Sequence, residues 1–423
     1  MPSSSTSDSS GPKGWLAMGL VSLALFGNFY VYDSVGPVAE LLVQQLGFTD
    51  TQIGTLNAIY SIPNVVLIFA GGVLVDRFGA GRMFMLTGAT CLLGAVLTAT
   101  TSHFIPMAAG RLLFGIGAET FNIASLTAVT AWYPVRHTAL MMGLTLGAGR
   151  IGSFAADLSP AWASWVYARG WQPPLVLAAV IAATSFLASA GYWWFEHRYL
   201  GERSRETHAA QPFSWRDALR FGVPYWYLLS LCVLWYAVML AFRSTFAIKY
   251  FQQGHGLSLA AAGAINSYVF LAALFATPLF GWVCDRTGRY AGMLAFGALL
   301  LPVSLLVMSS SNLGLGFGTV LIGISFSLVP AAMWPMVSRL VEPSRFGTAI
   351  GLMWVVQNAG IAGANLAAGW LNDVYGASAA NPSGYRPMMT FFTVASALGF
   401  AFAVLLWRRR PGAAAPAPSL AET

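Results

Sequence analysis

Long apolar stretches recur along the whole chain, and they limit its possible folds more than any other feature. Each comes close to the 18 or more residues that span a bilayer. In lipid the backbone has to satisfy its own hydrogen bonds, so stretches of this length form helices. We therefore predict an all-α membrane protein with twelve transmembrane helices, at about 15–42, 53–75, 82–101, 104–132, 138–166, 174–195, 224–251, 260–284, 291–309, 313–340, 346–372 and 387–407.

The composition and the position of the charges agree with this class. Charged residues make up only 9% of the 423 residues, whereas a soluble domain carries about 25%. If both termini are placed in the cytoplasm, most of the 22 Lys and Arg residues lie on that side, which satisfies the positive-inside rule. The net charge of +7 then reflects membrane topology and anionic lipid, and no nucleic-acid partner is expected.

Polar segments divide the chain into two bundles. The longest, residues 196–223, separates six predicted helices from six and is expected to be a cytoplasmic linker. We predict a six-helix bundle at 15–195 and another at 224–407. Residues 1–14 form a polar tail that is expected to be disordered, and residues 408–423 form a low-complexity cytoplasmic tail.

The two halves also match each other in sequence. One register pairs Gly54 with Gly263, Asn57 with Asn266 and Gly72 with Gly281, and after a one-residue shift Gly115 pairs with Gly323. An even number of helices in each half makes the repeats parallel, related by an axis along the membrane normal. This arrangement is typical of the major facilitator superfamily, whose substrates bind at mid-membrane between the halves.

A local motif occurs once in each half. "GGVLVDRFGAGR" (71–82) and "FGWVCDRTGR" (280–289) resemble the superfamily signature between spans 2 and 3 and its copy between spans 8 and 9. The glycines permit close helix approach, and the resemblance implies that the aspartate binds a helix N-terminus of the other half when the cytoplasmic side is closed. The alternative is a polar turn with surface arginines, which two copies in one register disfavour. The predicted gating residues are Gly72, Asp76, Arg77, Gly79, Arg82, Gly281, Asp285 and Arg286.

A few charged residues lie inside the predicted spans. Such residues cost about 2.5–3.5 kcal/mol each on insertion scales and are therefore candidates for function. In the second half, Ser327 stands at the position of Glu119, Asn358 at that of Arg150 and Asn365 at that of Asp157. Because the other half does without these charges, they are specific to a task of the first half rather than to the architecture.

Glu119 and Arg150 lie at similar depth near mid-membrane, and three interpretations of them remain open. In the first, Glu119 and Arg150 form a structural ion pair between spans 4 and 5. In the second, Glu119 or Asp33 carries a proton during transport, because burial disfavours a charged carboxylate. Alternatively they bind substrate, the arginine gripping a carboxylate bidentately and the glutamate receiving an amine. The full predicted substrate-binding set is Tyr30, Asp33, Glu119, Asn122, Arg150, Arg243, Trp334 and Asn358.

Several stretches resemble one branch of the superfamily more closely. "GRLLFGIGAETFNIA", "WYPVRHTALMMGLTLGAGRIGS" and "AAMWPMVSRL" are similar to the major facilitator superfamily domain-containing protein 1 family, whose animal members are lysosomal dipeptide uniporters. The resemblance implies that the charged ends of the peptide bind at Glu119 and Arg150. The basic residues of span 7, Arg243 and Lys249, depart from the lysine of that family. No lysosomal dileucine signal or glycosylation sequon is found, so a bacterial inner or plasma membrane is expected.

We therefore expect a multi-pass transporter, not an enzyme, that moves a small polar solute by alternating access. A dipeptide or another amino-acid-like zwitterion is the first candidate substrate. The alternatives are a proton-coupled carrier of organic anions, a drug exporter, and a non-transporting receptor or scaffold. The expected partners are the small-molecule substrate and the lipid bilayer, and the protein is expected to be a monomer. No cofactor is expected. Proton coupling and an accessory subunit are left open.

Overall fold

The computed structural model of the protein describes residues 11–133, 135–200 and 220–409. Twelve long helices follow one another in this part of the chain. They are α1 Pro12–Leu46, α2 Asp50–Phe78, α3 Ala80–Thr100, α4 Phe104–Thr130, α5 Val135–Trp162, α6 Gln172–Tyr199, α7 Val223–Gly254, α8 Leu259–Thr287, α9 Tyr290–Met308, α10 Asn312–Leu340, α11 Phe346–Val374 and α12 Arg386–Arg408.

The twelve-helix prediction is confirmed, and each predicted bound lies within four residues of the observed one. The start of α1 at Pro12 and the end of α6 at Tyr199 enlarge the first bundle at both ends. The predicted N-terminal tail, linker and C-terminal tail fall mainly outside the described residues. The side of the bundle where α1 begins and α12 ends is called the terminal side below, and the opposite side is called the far side.

Among the described residues, nine helices are long and apolar enough to cross a membrane by length and composition alone. The other three, α2, α5 and α11, each carry polar residues in their middle. These include Asn57 and Asn64 on α2, Arg150 and Asp157 on α5, and Asn358 and Asn365 on α11. All three of these helices contact the other half of the protein, where polar side chains are shielded from lipid.

The halves join through two equivalent helix pairs, α2 with α11 and α5 with α8. A Cβ atom at Gly54 would collide with the backbone oxygen of Asn365, and one at Gly263 would collide with that of Asp157. Gly54 and Gly263 are partners in the sequence repeat, so both contacts obey the same pseudo-twofold relation. The missing side chains let the helix backbones touch.

The contacts between the halves are concentrated toward the far side. The hydrogen bonds and ion pairs that we identify between the halves in the described structure involve first-half residues in 33–57 or 150–157. These stretches run from mid-depth to the far side. At the terminal side, a Cβ atom at Gly72 or Gly281 would meet nothing within 4 Å. The structure is therefore closed at the far side and open at the terminal side.

Candidate substrate site and far-side gate

Glu119 lies on α4 and is partly buried. It is 11 residues from the end of this helix at Thr130, about 17 Å at 1.5 Å per residue. Its Oε1 accepts a hydrogen bond of 3.0 Å from Nδ2 of Asn64 on α2. The buried Oδ1 atoms of Asn64 and Asn122 have no hydrogen-bond partner within the described part of the chain. The carboxylate thus stands among amide groups with unused hydrogen-bonding capacity.

Arg150 lies on α5 and reaches from the first half into the second. Its Nη1 donates a hydrogen bond of 3.0 Å to Oγ1 of Thr277 on α8. The guanidinium carbon is 4.7 Å from the ring centre of Phe326 on α10, a distance at which a cation is attracted to the ring face. One turn further along α5, the buried Oγ of Ser153 has no hydrogen-bond partner among the described residues.

Glu119 and Arg150 therefore each bind a neutral side chain, and no ion pair joins them in the described structure. The Glu119–Arg150 ion pair, one of the three interpretations of the sequence, is therefore not formed in the described structure. Both groups are partly buried and lie near the middle of their helices, Glu119 on α4 and Arg150 on α5. A ligand with one positive and one negative end would complement them.

Asp33, Asp157 and Arg243 form a separate, deeply buried cluster. Nη1 of Arg243 on α7 lies 2.6 Å from Oδ1 of Asp33 on α1, and both side chains are 1% exposed. Its Nη2 pairs with Oδ2 of Asp157 on α5. The guanidinium carbon lies 4.0 Å from the ring centre of Phe270 on α8. One cation of the second half thus holds two carboxylates of the first half.

A distorted segment of α7 positions Arg243. The helix is regular over Val223–Ala241 and then turns as a π-helix over Phe242–Phe246. Nδ2 of Asn266 on α8 donates a 3.2 Å hydrogen bond to the backbone oxygen of Arg243. A π-turn changes the direction of the side chains that follow it and is frequent at functional sites. No pattern in the sequence indicated this turn.

A second layer of contacts lies further toward the far side. Lys249 on α7 pairs with Asp50 at the start of α2, and its Nζ lies 3.5 Å from Oε2 of Glu40 on α1. Asp373, near the end of α11, accepts hydrogen bonds from the backbone N–H groups of Asp50 at 2.7 Å and Thr51 at 2.8 Å. A carboxylate of one half therefore caps the N-terminus of a helix in the other.

Replacing Asp373 with alanine is expected to favour opening of the far side. Loss of a helix cap costs about 1 kcal/mol, so we expect the population open at the far side to rise about fivefold. The measurement is the rate at which a membrane-impermeant thiol reagent labels Cys in Ser244→Cys, where the native serine is buried at the interface. The three native cysteines, all buried, are replaced beforehand.

The control for this prediction is Asp373→Asn, because asparagine also caps helices well. Labelling in Asp373→Asn should stay near the parent rate. Equal labelling rates in the alanine variant and the parent would show that the cap across the halves does not hold this side closed.

The other residues predicted from the sequence lie in three different places. Tyr30 does not line the space between the halves, because its side chain is buried in an apolar cluster made of first-half residues. Trp334 is partly buried and stacks on Trp354 of α11 with ring centres 5.4 Å apart. Asn358, also on α11, is buried and donates a hydrogen bond of 3.0 Å to the backbone oxygen of Trp354.

The predicted gating residues lie at the terminal side and are disengaged in this state. Oδ1 of Asp285 accepts a hydrogen bond of 3.0 Å from Tyr290 of its own half. Arg77 stacks on Phe78 and Arg286 on Trp282, the neighbouring aromatic side chains. Within the described ranges, no hydrogen bond joins Asp76 or Asp285 to the other half. The close approach expected at Gly72 and Gly281 is absent here because the terminal side is open.

Arg111 on α4 is not among the predicted site residues, yet it is among the largest fully buried side chains. It donates to the backbone oxygens of Val31, Tyr32 and Leu56 and, at 2.6 Å, to Oδ1 of Asn57. Nδ2 of Asn57 in turn donates to Oγ1 of Thr245 on α7 at 2.7 Å. A polar chain thus runs from the first half into the second.

Comparison with known proteins agrees with this architecture. The Major Facilitator Superfamily profile matches residues 21–265 and 239–422. The chain belongs to the major facilitator superfamily. It is 30% identical over 402 residues to the lysosomal dipeptide transporter MFSD1 of Danio rerio, covering 90% of this chain and 84% of the relative. It therefore belongs to the branch that contains this transporter, and it is a membrane transporter rather than an enzyme.

Two further superfamily members show the breadth of this similarity. A probable sulfoacetate transporter, SauU of Cupriavidus necator, is 22% identical over 299 residues, covering 67% of this chain and 68% of the relative. The crystal structure of a bacterial homologue of the human lysosomal transporter Spinster, inward-facing and unoccupied, superposes with a TM-score of 0.73 at 16% identity. It covers 94% of this chain and 98% of that chain, and this likeness supports the fold alone.

Proposed function

We propose that this superfamily transporter moves dipeptides or other small amino-acid-like zwitterions by alternating access. The observation that carries the proposal is the pair of opposite charges at mid-depth, Glu119 and Arg150, each bound to a neutral side chain instead of to the other. An unpaired charge in a membrane protein is expensive. A bound zwitterion compensates both charges at once, because its amine meets Glu119 and its carboxylate meets Arg150.

The unused polar atoms around the two charges support the same assignment. Oδ1 of Asn64 and Oδ1 of Asn122 lie near the acid, and Oγ of Ser153 lies near the arginine. A peptide group offers both a donor and an acceptor, so it can satisfy such atoms. The similarity to a lysosomal dipeptide transporter over most of the chain points to the same class of substrate.

Alternating access follows from the two sets of contacts between the halves. In this state the ion pairs of Arg243 and Lys249 and the cap by Asp373 hold the far side closed. Opening the far side breaks them, while the motif residues Asp76 and Asp285 at the terminal side become available to close that side. We place the protein in a bacterial plasma or inner membrane as a monomer, with the terminal side in the cytoplasm.

A thermal-shift comparison of blocked and unblocked ligands tests the substrate class. We expect alanyl-alanine to stabilise the purified protein by about 2.7 kcal/mol at a concentration 100 times its Kd. N-acetyl-alanyl-alanine lacks the amine and alanyl-alanine amide lacks the carboxylate, so each should shift the melting temperature much less. A rise in melting temperature with succinate or sulfoacetate, and none with any zwitterion, would contradict the assignment of a zwitterionic substrate.

That outcome defines the second candidate function, a proton-coupled carrier of organic anions. The similarity to a probable sulfoacetate transporter favours it. In this case Arg150 is the anchor for the anion, and Glu119 or Asp33 carries the proton. Uptake into liposomes with and without a pH gradient distinguishes the two functions, because a uniporter of zwitterions needs no gradient.

A further inference from the structure

A cavity of about 710 Å³ lies at the terminal side of the second half, away from the substrate site. The turn between α8 and α9, the first turns of α9, and the ends of α10 and α12 surround it. Its walls include Arg289, Tyr290, Phe296, Arg339 and Trp407. Its rim borders the second copy of the gating motif, whose last residue is Arg289, and the rest of the space is not used by the transport or gating contacts described above.

The mouth of the cavity is positively charged. Arg289 and Arg339 are exposed, and neither forms an ion pair with any residue that the structure describes. The guanidinium carbon of Arg339 lies 4.1 Å from the ring centre of Tyr290, which orients it at the rim. Asp285 is the neighbouring carboxylate, and its Oδ1 accepts a hydrogen bond from Tyr290 rather than forming an ion pair with either arginine. The two arginines that line the cavity can therefore bind an anion, because guanidinium groups bind phosphate oxygens in a fork geometry.

The rest of the wall is apolar and faces the membrane. Phe296 is 54% exposed and Trp407 is 55% exposed, although both sit in long apolar helices. Tryptophan is enriched at the boundary between lipid tails and headgroups. The indole nitrogen of Trp407 lies beside Gly292 in the first turn of α9. The cavity therefore combines a charged mouth at headgroup level with an apolar surface at tail level.

The corresponding place in the first half is filled by the protein itself. There Oε2 of Glu196, buried near the end of α6, accepts a hydrogen bond of 3.0 Å from the backbone N–H of Gly81 at the start of α3. In the second half, α12 corresponds to α6, and its sequence contains no Asp or Glu. The second half thus lacks this internal carboxylate and has an open cavity beside Arg289 and Arg339, an environment that suits an anion from outside the chain.

We propose that this cavity binds the headgroup of an anionic phospholipid from the leaflet on the terminal side. Arg289 and Arg339 bind the phosphate, and the acyl chains lie along Phe296 and Trp407. A lipid explains both parts of the cavity, whereas a free phosphate would leave the apolar wall uncovered. Basic pockets between transmembrane helices are a known class of lipid site. The site is separate from the proposed substrate site and does not depend on which solute is transported.

The test uses the full chain in phosphatidylcholine nanodiscs, titrated with phosphatidylglycerol and followed by native mass spectrometry and by melting temperature. We expect saturable binding of phosphatidylglycerol and at least a tenfold loss of affinity in Arg289→Gln/Arg339→Gln. The matched control is Arg198→Gln, which removes an exposed terminal-side arginine of the first half and should bind normally. Because Arg289 and Arg339 are exposed, the lipid-free melting temperature of the double variant should equal that of the parent.

Three results would overturn the proposal. Unchanged affinity in the double variant would show that the two arginines do not form the site. Equal binding of added phosphatidylcholine would remove the role of the negative charge. An equal rise in melting temperature with glycerol phosphate alone would identify a site for a soluble anion instead of a lipid. Each result leaves the assignment of Glu119 and Arg150 unaffected.

Discussion

Replacing Arg243 with methionine is expected to lower the free energy of unfolding by about 3–5 kcal/mol, the usual cost of removing one partner from a buried ion pair. The variant leaves Asp33 and Asp157 buried without their cation. The two carboxylates then repel each other across α1 and α5, and the main contact of α7 with the first half is lost. We therefore also expect the far side to open more often.

Two measurements separate these effects. The melting temperature of the purified variant reports stability, and thiol labelling at Ser244→Cys reports opening of the far side. The triple variant Arg243→Met/Asp33→Asn/Asp157→Asn should recover most of the stability, since neutral amides no longer need a cation. Coupling among the three positions is read from a mutant cycle.

Arg169→Met is the matched control for this experiment. Arg169 is also a far-side arginine, but it is exposed and lies 5.4 Å from the ring of Trp165 in its own half. Its loss should leave both measurements near the parent values. A melting temperature of Arg243→Met equal to that of the parent would mean that the buried cluster contributes little to closure of the far side.

Exchanging Glu119 for glutamine and, separately, Arg150 for methionine is expected to weaken binding of a dipeptide by about 10- to 150-fold each. Hydrogen bonds to charged groups contribute about 1.5–3 kcal/mol, and each variant removes one charge that meets the substrate. The losses should be selective. Glu119→Gln should lose its preference for a free amine, and Arg150→Met should lose its preference for a free carboxylate.

Counterflow of labelled alanyl-alanine in liposomes measures the loss, and thermal shifts with the N-acetylated and amidated forms measure the selectivity. Glu342→Gln serves as the control, because Glu342 is a terminal-side carboxylate that is 67% exposed and pairs with Arg345. Normal counterflow in both site variants would show that the two charges do not bind substrate. If the variants lose transport but keep the parent's selectivity between the two blocked ligands, Glu119 and Arg150 act in the conformational change rather than in substrate binding.

The residues that the sequence placed at the site illustrate how far sequence reasoning reaches. A charge inside an apolar stretch is visible because its insertion cost is high, and so Asp33, Glu119, Arg150 and Arg243 were all found. The similar depth of Glu119 and Arg150 was predicted by counting residues along each helix. Their bonding partners could not be predicted, because the depth of a residue does not determine which neighbouring helix its side chain faces. Arg150 binds Thr277, and Glu119 binds Asn64.

Tyr30 and Asp373 show the same limit of sequence analysis: Tyr30 was predicted at the site and lies elsewhere, and Asp373 contacts the other half without having been predicted. Tyr30 was predicted to line the cavity as an aromatic residue of the first span, but it packs in an apolar cluster inside its own half. Asp373 is not among the predicted site residues, because it lies near the end of a helix rather than inside an apolar span. Its role as a cap exists only because α11 ends beside the start of α2 in the folded protein.

The sequence by itself determined the twelve helices, the two related halves and the depth of the buried charges, because each of these depends on hydrophobicity and spacing along one helix. Only the tertiary structure decided which charges neutralise each other. Arg243 pairs with Asp33 and Asp157, while Glu119 and Arg150 are left without ion-pair partners among the described residues. The physical reason is that such pairing depends on the rotation of each helix and on the π-turn in α7, which are set by packing between helices distant in sequence.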